Sequence, residues 1–165
     1  MASVVLTVQE EALAIEGVTL KKLTCHPDER GSFLEIIRHT DPFFGEGFAQ
    51  LNHTKMYPGV AKAWHIHKTQ VDWWYVPIGR LKVGLSDRRP HSPTFGTTIT
   101  LLMGEDMAPA VLKIPPGVAH GCKVIGGVSH LFYVTSNVYD PSEEGRLPHN
   151  DPDIHYDWEC GAEIK

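Results

Sequence analysis

The chain has 165 residues, of which 42% are hydrophobic, which suits one domain with one core over residues 1–165. Its formal net charge is -5 and its 15 Lys and Arg residues form no basic run, which argues against a nucleic-acid partner. Residues 1–7 lack the features of a signal peptide, and no stretch approaches the ~20 apolar residues of a membrane span, so we expect a cytoplasmic protein with no membrane partner.

Short apolar runs separated by Gly, Pro, Asp and Asn follow one another along the chain. Residues 8–14 are compatible with a helical turn or two and equally with an edge strand. After them we predict nine strands, at Leu34–Arg38, Ala49–Met56, Ala61–His67, Trp73–Pro77, Arg80–Ser86, Thr97–Leu102, Ala110–Ile114, Cys122–Val124 and His130–Ser136. Because helical periodicity is weak throughout, the pattern predicts an all-β sandwich or barrel with jelly-roll topology.

The cysteines and the bulkiest aromatic run add two smaller predictions. Cys25, Cys122 and Cys160 are odd in number and share no CxxC spacing, which indicates reduced thiols rather than a disulfide framework. In the run Trp73 to Tyr75, alternate rings should face opposite sides of a sheet. Core packing is the expected role on both sides, with a pocket wall and a partner surface as the alternative.

Four side chains suited to metal binding stand in two blocks, with His65, His67 and Asp72 in the first and His120 in the second. Residues two apart in a strand share a face, so His65 and His67 should project together. Asp72 should begin or face an adjacent strand, and the turn Pro115–Gly117 should deliver His120.

Three imidazoles and one carboxylate with open water positions suit iron, manganese, nickel, cobalt or zinc, and the sequence does not select among these metals. The alternative is a His-x-His pair on a solvated strand, since the chain has 10 His. The spacing of the two blocks matches the two halves of the cupin signature, with Asp72 in place of the usual Glu.

Beyond that signature, the chain from about Asp28 to Trp158 resembles the dTDP-4-dehydrorhamnose 3,5-epimerase family, one branch of the cupins. The family's DxRGxFxE, SPTFG and IPxGxAHG segments correspond here to Asp28–Glu35, Ser92–Gly96 and Ile114–Gly121. The number of matching segments and their order make the resemblance specific.

The resemblance implies a catalytic base at His65 and a catalytic acid at Tyr133 on the opposite face of the sugar. This chemistry is coherent because removal of a proton next to a carbonyl needs a base with a pKa near neutrality. The resemblance also implies substrate contacts. The substrate-binding residues predicted in this way are Arg30, Glu35, Gln50, Asn52, Lys62 and His120. For Gln50 and Asn52, tying strand ends together is the alternative.

Several positions depart from the family pattern. Asp72 replaces the active-site Lys, His67 replaces a Gln, Lys62 replaces an Arg, and Val138 stands where an aromatic ring often packs on the base. The family places the Asp that polarises its catalytic His in a C-terminal segment beyond the position of Lys165, so no acidic partner is expected for His65.

The exchange of Lys for Asp and of Gln for His removes a cation from the pocket and adds two ligands, which favours a divalent ion at His65, His67, Asp72 and His120. If His65 is a ligand, it is not free to act as a base. The adjacent acidic pair Glu143 and Glu144 is predicted to lie on the surface.

We therefore predict a sugar epimerase or isomerase that acts on a nucleotide-linked, dTDP-type keto sugar, with a divalent metal ion as the one expected cofactor and no organic cofactor. The alternatives are a metal-dependent oxygenase or lyase and a non-catalytic sugar-binding cupin. The resemblance also implies a homodimer in which an N-terminal strand crosses to the partner and Arg30 serves the neighbouring pocket.

Overall fold

The computed structural model describes residues 10–159, and within this range the chain is almost entirely β-structure. The short 3₁₀ helix at Pro42–Phe44 is the one helical element among these residues, which therefore contain no helix able to cross a bilayer. The strands are β1 Glu10–Ala12, β2 Thr19–Lys22, β3 Cys25–Asp28, β4 Gly31–Leu34, β5 Gln50–Met56, β6 Ala61–His67, β7 Asp72–Ile78, β8 Arg80–Asp87, β9 Thr98–Gly104, β10 Ala110–Ile114, β11 Val118–Val124, β12 Ser129–Thr135 and β13 Glu144–Arg146.

Two antiparallel sheets face each other. The six-stranded sheet has the order β1-β2-β10-β7-β12-β5, and the five-stranded sheet has the order β13-β6-β11-β8-β9. From β5 to β8 and again from β9 to β13, each strand lies in the opposite sheet from the one before it, which is typical of a jelly roll. The predicted all-β cupin sandwich is confirmed.

The core lies between the two sheets and is built from alternate residues of their strands. Leu81, Val83 and Leu85 of β8 face Leu112 and Ile114 of β10, and all five side chains are buried. Alternation along β7 also has the predicted effect on the aromatic run. Trp74 enters this core, whereas Trp73 packs with Phe43 and Phe44 on the outer side of the sheet.

Two predicted strands differ from the observed bounds by three residues or more at one or both ends. The strand expected at Leu34–Arg38 is instead Gly31–Leu34, because this segment pairs in a tight hairpin with Cys25–Asp28 and residues 35–38 leave it. The strand expected at Cys122–Val124 begins earlier, at Val118, because residues 118–124 pair continuously with β8. His120 therefore lies inside a strand.

Residues 8–14 are only partly described. Glu10–Ala12 forms an edge strand paired with β2, and Val8 and Gln9 lie outside the described residues. Cys25 is exposed, Cys122 is buried, and neither forms a disulfide. Cys160 lies outside the described residues.

Candidate active site

A cavity of about 490 Å³ opens between the two sheets and collects most of the predicted site residues. The five-stranded sheet contributes His65 and His67 from β6 and His120 from β11. The six-stranded sheet contributes Asp72 from β7 and Tyr133 from β12. The two blocks of the sequence meet because β6 and β11 are paired, with His120 directly opposite His65.

His65 has a carboxylate partner. Its Nδ1 lies 2.9 Å from Oε1 of Glu144, and because a carboxylate only accepts hydrogen bonds, Nδ1 is the donor. The side chain of Glu144 is 16% exposed and that of His65 is 33% exposed. Burial lowers the pKa of His65, and the contact with Glu144 offsets this in part. The imidazole therefore favours its neutral form.

This contact corrects two expectations from the sequence. Glu144 was predicted on the surface with Glu143, yet both line the cavity. His65 was expected to lack an acidic partner, and Glu144 supplies one. The reason is the short strand β13, which pairs with β6 and places residue 144 opposite His67, 77 positions earlier in the chain.

His120 is 3% exposed and fixed in orientation. Its Nδ1 lies 3.0 Å from the carbonyl oxygen of Val118, so Nδ1 is the donor and Nε2 is left with a lone pair. Nε2 lies 3.8 Å from Oδ2 of Asp72. Burial lowers the pKa of His120 to about 4, which makes the ring neutral near pH 7.

Asp72 is a buried carboxylate with several partners. Gln70 donates from Nε2 to Oδ1 at 2.7 Å, and the indole of Trp74 donates from Nε1 to Oδ2 at 3.1 Å. Its Oδ1 is 3.8 Å from Nε2 of His67. One potential ligand atom from each of His67, Asp72 and His120 lies within 4.8 Å of the others.

The structure thus brings together three of the four predicted metal ligands and sets His65 apart. His65 is stacked near His120, with ring centroids 6.3 Å apart, but it does not belong to the three-residue group. Its Nδ1 is held by Glu144, which leaves the lone pair of Nε2 available.

Tyr133 enters the cavity from the sheet opposite His65. It is paired with Asn52 on one side and Trp74 on the other. Burial raises the pKa of its phenol, and the negative charges of Asp72 and Glu144 raise it further. The phenol therefore keeps its proton, which a proton donor requires.

The polar residues predicted to bind substrate are divided between two regions. Gln50, Asn52 and Lys62 line the cavity, and Lys62 donates to Oγ1 of Thr54 at 2.9 Å. Lys62 and His65 face the same cavity although they are three residues apart in one strand. The pairing of β6 with β11 shifts register between His120 and Cys122, which breaks the simple alternation.

Arg30 and Glu35 do not lie in the cavity of their own chain. Arg30 is at the tip of the β3–β4 hairpin, where it pairs with Asp28 and its side chain is 84% exposed. Glu35 follows the hairpin and pairs with Arg38. Their predicted contact with substrate therefore requires a pocket other than their own.

Three of the cavity residues that were not predicted from the sequence hold or extend the site. Gln70 orients Asp72, Glu144 holds His65, and Tyr139 exposes its ring at the cavity wall while its backbone N–H donates to Oε1 of Gln50 at 3.0 Å. Tyr139 stands next to Val138, the position at which the family often carries an aromatic ring. The sequence therefore contained an indication of the aromatic ring at Tyr139. No local pattern in the sequence indicates the pairing of Glu144 with His65.

The charge of the cavity is predominantly negative. Among the described residues that line it, Lys62 is the one Lys or Arg, against Asp72, Asp140, Glu143 and Glu144. Glu143 is engaged with the backbone N–H and the hydroxyl of Thr69. An anionic substrate therefore needs positive charge from outside this set.

The sequence of this chain is similar to those of known proteins. The family described as dTDP-4-dehydrorhamnose 3,5-epimerase matches residues 12–165. The spore coat polysaccharide biosynthesis protein SpsL of Bacillus subtilis is 43% identical over 87% of this chain and 96% of its own length. A probable low-salt glycan biosynthesis epimerase of Haloferax volcanii is 37% identical over 91% of this chain and 97% of its own.

A solved structure of a similar protein has the same fold. The crystal structure of a dTDP sugar isomerase from Desulfovibrio desulfuricans G20 superimposes with a TM-score of 0.86 and 29% identity, over 92% of this chain and 97% of the other. With the sandwich fold, the cavity and the segments identified in the sequence, these matches establish that the chain belongs to the dTDP-4-dehydrorhamnose 3,5-epimerase family.

Proposed function

We propose that the protein is a carbohydrate epimerase that acts on a nucleotide-linked keto sugar of the dTDP type. The observation that carries the proposal is the position of His65 and Tyr133, which enter one cavity from opposite sheets. Inversion of a carbon centre needs a proton removed on one face and returned on the other. A base and an acid on facing sheets meet that requirement.

His65 acts as the base in this proposal. Its Nδ1 proton is held by Glu144, so the lone pair of Nε2 is available to take a proton from the carbon next to the carbonyl. Tyr133 returns a proton to the opposite face. Burial raises the pKa of this phenol, so the proton is present when it is needed.

Negative charge develops on the carbonyl oxygen during proton removal, and the cavity must stabilise it. The family Lys is replaced by Asp72, so this position offers no cation. Lys62 is within the cavity and contributes positive charge from β6. Tyr139 offers an exposed aromatic ring against which a nucleotide base stacks.

We infer also that His67, Asp72 and His120 form a site for a divalent metal ion. The donor set of two imidazoles and one carboxylate suits iron, manganese, nickel, cobalt or zinc. Among residues 10–159, the side-chain contacts of Asp72 are neutral donors and histidines, with no Lys or Arg to balance its buried charge. When bound, such an ion supplies Lewis-acid polarisation of a carbonyl group.

The position of Arg30 supports the homodimer predicted from the sequence. The β3–β4 hairpin is exposed throughout most of its length and carries a guanidinium that does not line its own cavity. In a two-fold dimer the hairpin brings Arg30 to the pocket of the partner subunit. A guanidinium there binds phosphate oxygens of the substrate in a bidentate fork. We retain the cytoplasmic location as part of this proposal on the sequence grounds given above.

The experiment that tests the proposal is solvent exchange. The protein is incubated with dTDP-4-keto-6-deoxyglucose in deuterated water, with and without added metal, and deuterium at C3 and C5 is measured by NMR. Incorporation that is lost in His65→Asn supports the proposal. Absence of exchange under both conditions excludes this substrate, and iron(II)-dependent oxygen consumption in its place would favour the metal-dependent oxygenase.

A further inference from the structure

The contact between Glu144 and His65 is built by the fold. Strand β13 pairs with β6 so that Glu144 lies opposite His67 and Arg146 lies opposite His65. The carboxylate reaches diagonally to Nδ1 of His65 at 2.9 Å. Its side chain is 16% exposed, so the contact is largely shielded from water. A fixed, shielded carboxylate constrains an imidazole more strongly than a mobile surface group does.

The contact with Glu144 determines which tautomer His65 adopts. A neutral imidazole carries one proton, and the better acceptor determines which nitrogen holds it. Glu144 places an acceptor at Nδ1, so the proton resides there. Nε2 is then the basic nitrogen.

Arg146 helps to hold the carboxylate in place. Its Nη2 donates to the same Oε1 of Glu144 at 3.2 Å, although the arginine side chain is 74% exposed. The two residues are two apart in β13 and share a face. Glu144 is therefore held from the solvent side by Arg146 and from the cavity side by His65.

The neighbouring glutamate has a different contact and provides an internal control. Glu143 accepts hydrogen bonds from the backbone N–H of Thr69 at 3.0 Å and from its hydroxyl at 2.6 Å. These contacts join the segment that precedes β13 to the turn that follows β6. Within residues 10–159, Glu143 forms no hydrogen bond or ion pair with His65.

We propose that Glu144 is a positioning residue for His65, which fixes the ring and its Nδ1–H tautomer so that Nε2 faces the substrate as the base. The inference rests on the proposed function of His65. In this inference, Glu144 of β13 holds the catalytic His, as an Asp in a C-terminal segment does in the family. Glu144 acts through His65 and not on the reacting atoms.

The test compares three variants of the full-length protein: Glu144→Ala, Glu144→Gln and Glu143→Gln. The first readout is the tautomer of His65, taken from ¹⁵N NMR of histidine-labelled protein, with His65→Asn used to assign the signals. The second is the split between kcat and KM for solvent deuterium exchange into the keto sugar. Thermal unfolding of each variant confirms that it is folded.

In Glu144→Ala we expect the Nδ1–H tautomer of His65 to lose its dominance and kcat to fall by about 10-fold or more, up to the 10²–10⁴-fold that a general base provides. KM stays within about twofold, because the substrate contact is unchanged. Glu144→Gln restores an oxygen acceptor and recovers part of both losses. Glu143→Gln leaves the tautomer as in the wild type.

Two outcomes overturn the proposal. One is a wild-type tautomer in Glu144→Ala, and the other is a rise in KM with kcat unchanged, which would make Glu144 a substrate ligand. If the wild-type protein exchanges no deuterium with the keto sugar, that result counts against the proposed function. The NMR signals of His65 then still decide whether Glu144 fixes its tautomer.

Discussion

His120 lies directly opposite His65 in the antiparallel pair of β6 and β11, and the two rings stack with centroids 6.3 Å apart. The same pairing leaves the rings with different partners. Nδ1 of His120 donates to a backbone carbonyl, whereas Nδ1 of His65 donates to Glu144. The two adjacent imidazoles therefore have different surroundings, since Nε2 of His120 lies 3.8 Å from the buried carboxylate of Asp72.

Removal of the base should prevent exchange, and removal of the acid should prevent inversion, with little effect on folding. We expect His65→Asn to lower kcat for solvent deuterium exchange, and Tyr133→Phe to lower kcat for formation of the epimer, each by about 10²–10⁴-fold, the range that a general acid or base supplies. The exposed His149 offers a matched control, and His149→Asn should retain wild-type rates. Equal rates of epimer formation in Tyr133→Phe and the wild type would remove Tyr133 from the mechanism.

The metal site should be detectable through stability. A divalent ion that binds only the folded state at 100 times its Kd adds about 2.7 kcal/mol, or roughly 5–10 °C in Tm for a chain of this size. We expect such a shift with zinc or manganese in the wild type and none in Asp72→Asn, which keeps the shape of the side chain. Metal content of protein purified without an affinity tag, measured by plasma mass spectrometry, checks the same site. Equal metal content in the two proteins would contradict the assignment.

The placement of Arg30 predicts complementation between two inactive variants. If Arg30 serves the partner's pocket, a mixed dimer of Arg30→Ala and His65→Asn contains one intact site, and an equal mixture recovers about a quarter of wild-type activity. If Arg30 serves its own pocket, no mixed dimer has an intact site and no activity returns. The measurement is exchange activity after the two variants are unfolded together and refolded.

Close packing of β11 against β6 should make Gly121 intolerant of a side chain. A Cβ at this position would lie 2.7 Å from Cβ of Ala63 and 2.8 Å from the backbone oxygen of Lys62. Gly121→Ala must therefore push β6 and His65 away from β11, at a cost of about 1–3 kcal/mol. Both Tm and exchange activity should fall. Gly127→Ala is the control because nothing lies within 4 Å of the added atom.

Asp87 should contribute to stability in a pH-dependent manner. Its carboxylate is buried, and burial raises its pKa, but hydrogen bonds from Arg89, Ser92 and Thr94 outweigh this and hold the pKa well below its usual value. Because the folded state favours the charged form, the contribution is complete above the unfolded pKa of about 3.9 and is lost as the pH falls toward the folded value.

We therefore expect Asp87→Asn to lower the free energy of unfolding by about 3 kcal/mol at pH 7, since it leaves the half-buried guanidinium of Arg89 without its charged partner. The difference from the wild type should shrink below about pH 4. Urea unfolding at both pH values provides the measurement. Asp106→Asn, at the exposed pair with Arg80, should change stability by less than about 1 kcal/mol at pH 7.

Local sequence patterns determined most of the fold. Alternating apolar residues and the Gly and Pro punctuation predicted the strands from β5 to β12, because the period of two in a strand is a local property. They failed at Leu34–Arg38, where the hairpin partner sets the strand bounds. They also shortened β11, because Gly121 and His120 do not resemble strand residues until their pairing with β8 is known.

For the site, the sequence by itself predicted the chemical types: His65 and Tyr133 as a base and an acid, and His65, His67, Asp72 and His120 as metal ligands. Spacing and family resemblance carry that information because they depend on positions along the chain. Only the tertiary structure showed that His65 lies outside the group formed by the other three and that its Nδ1 contacts Glu144, which comes from a strand far along the chain. Such a contact depends on strand pairing and burial, and neither is encoded by the spacing of residues within a single segment.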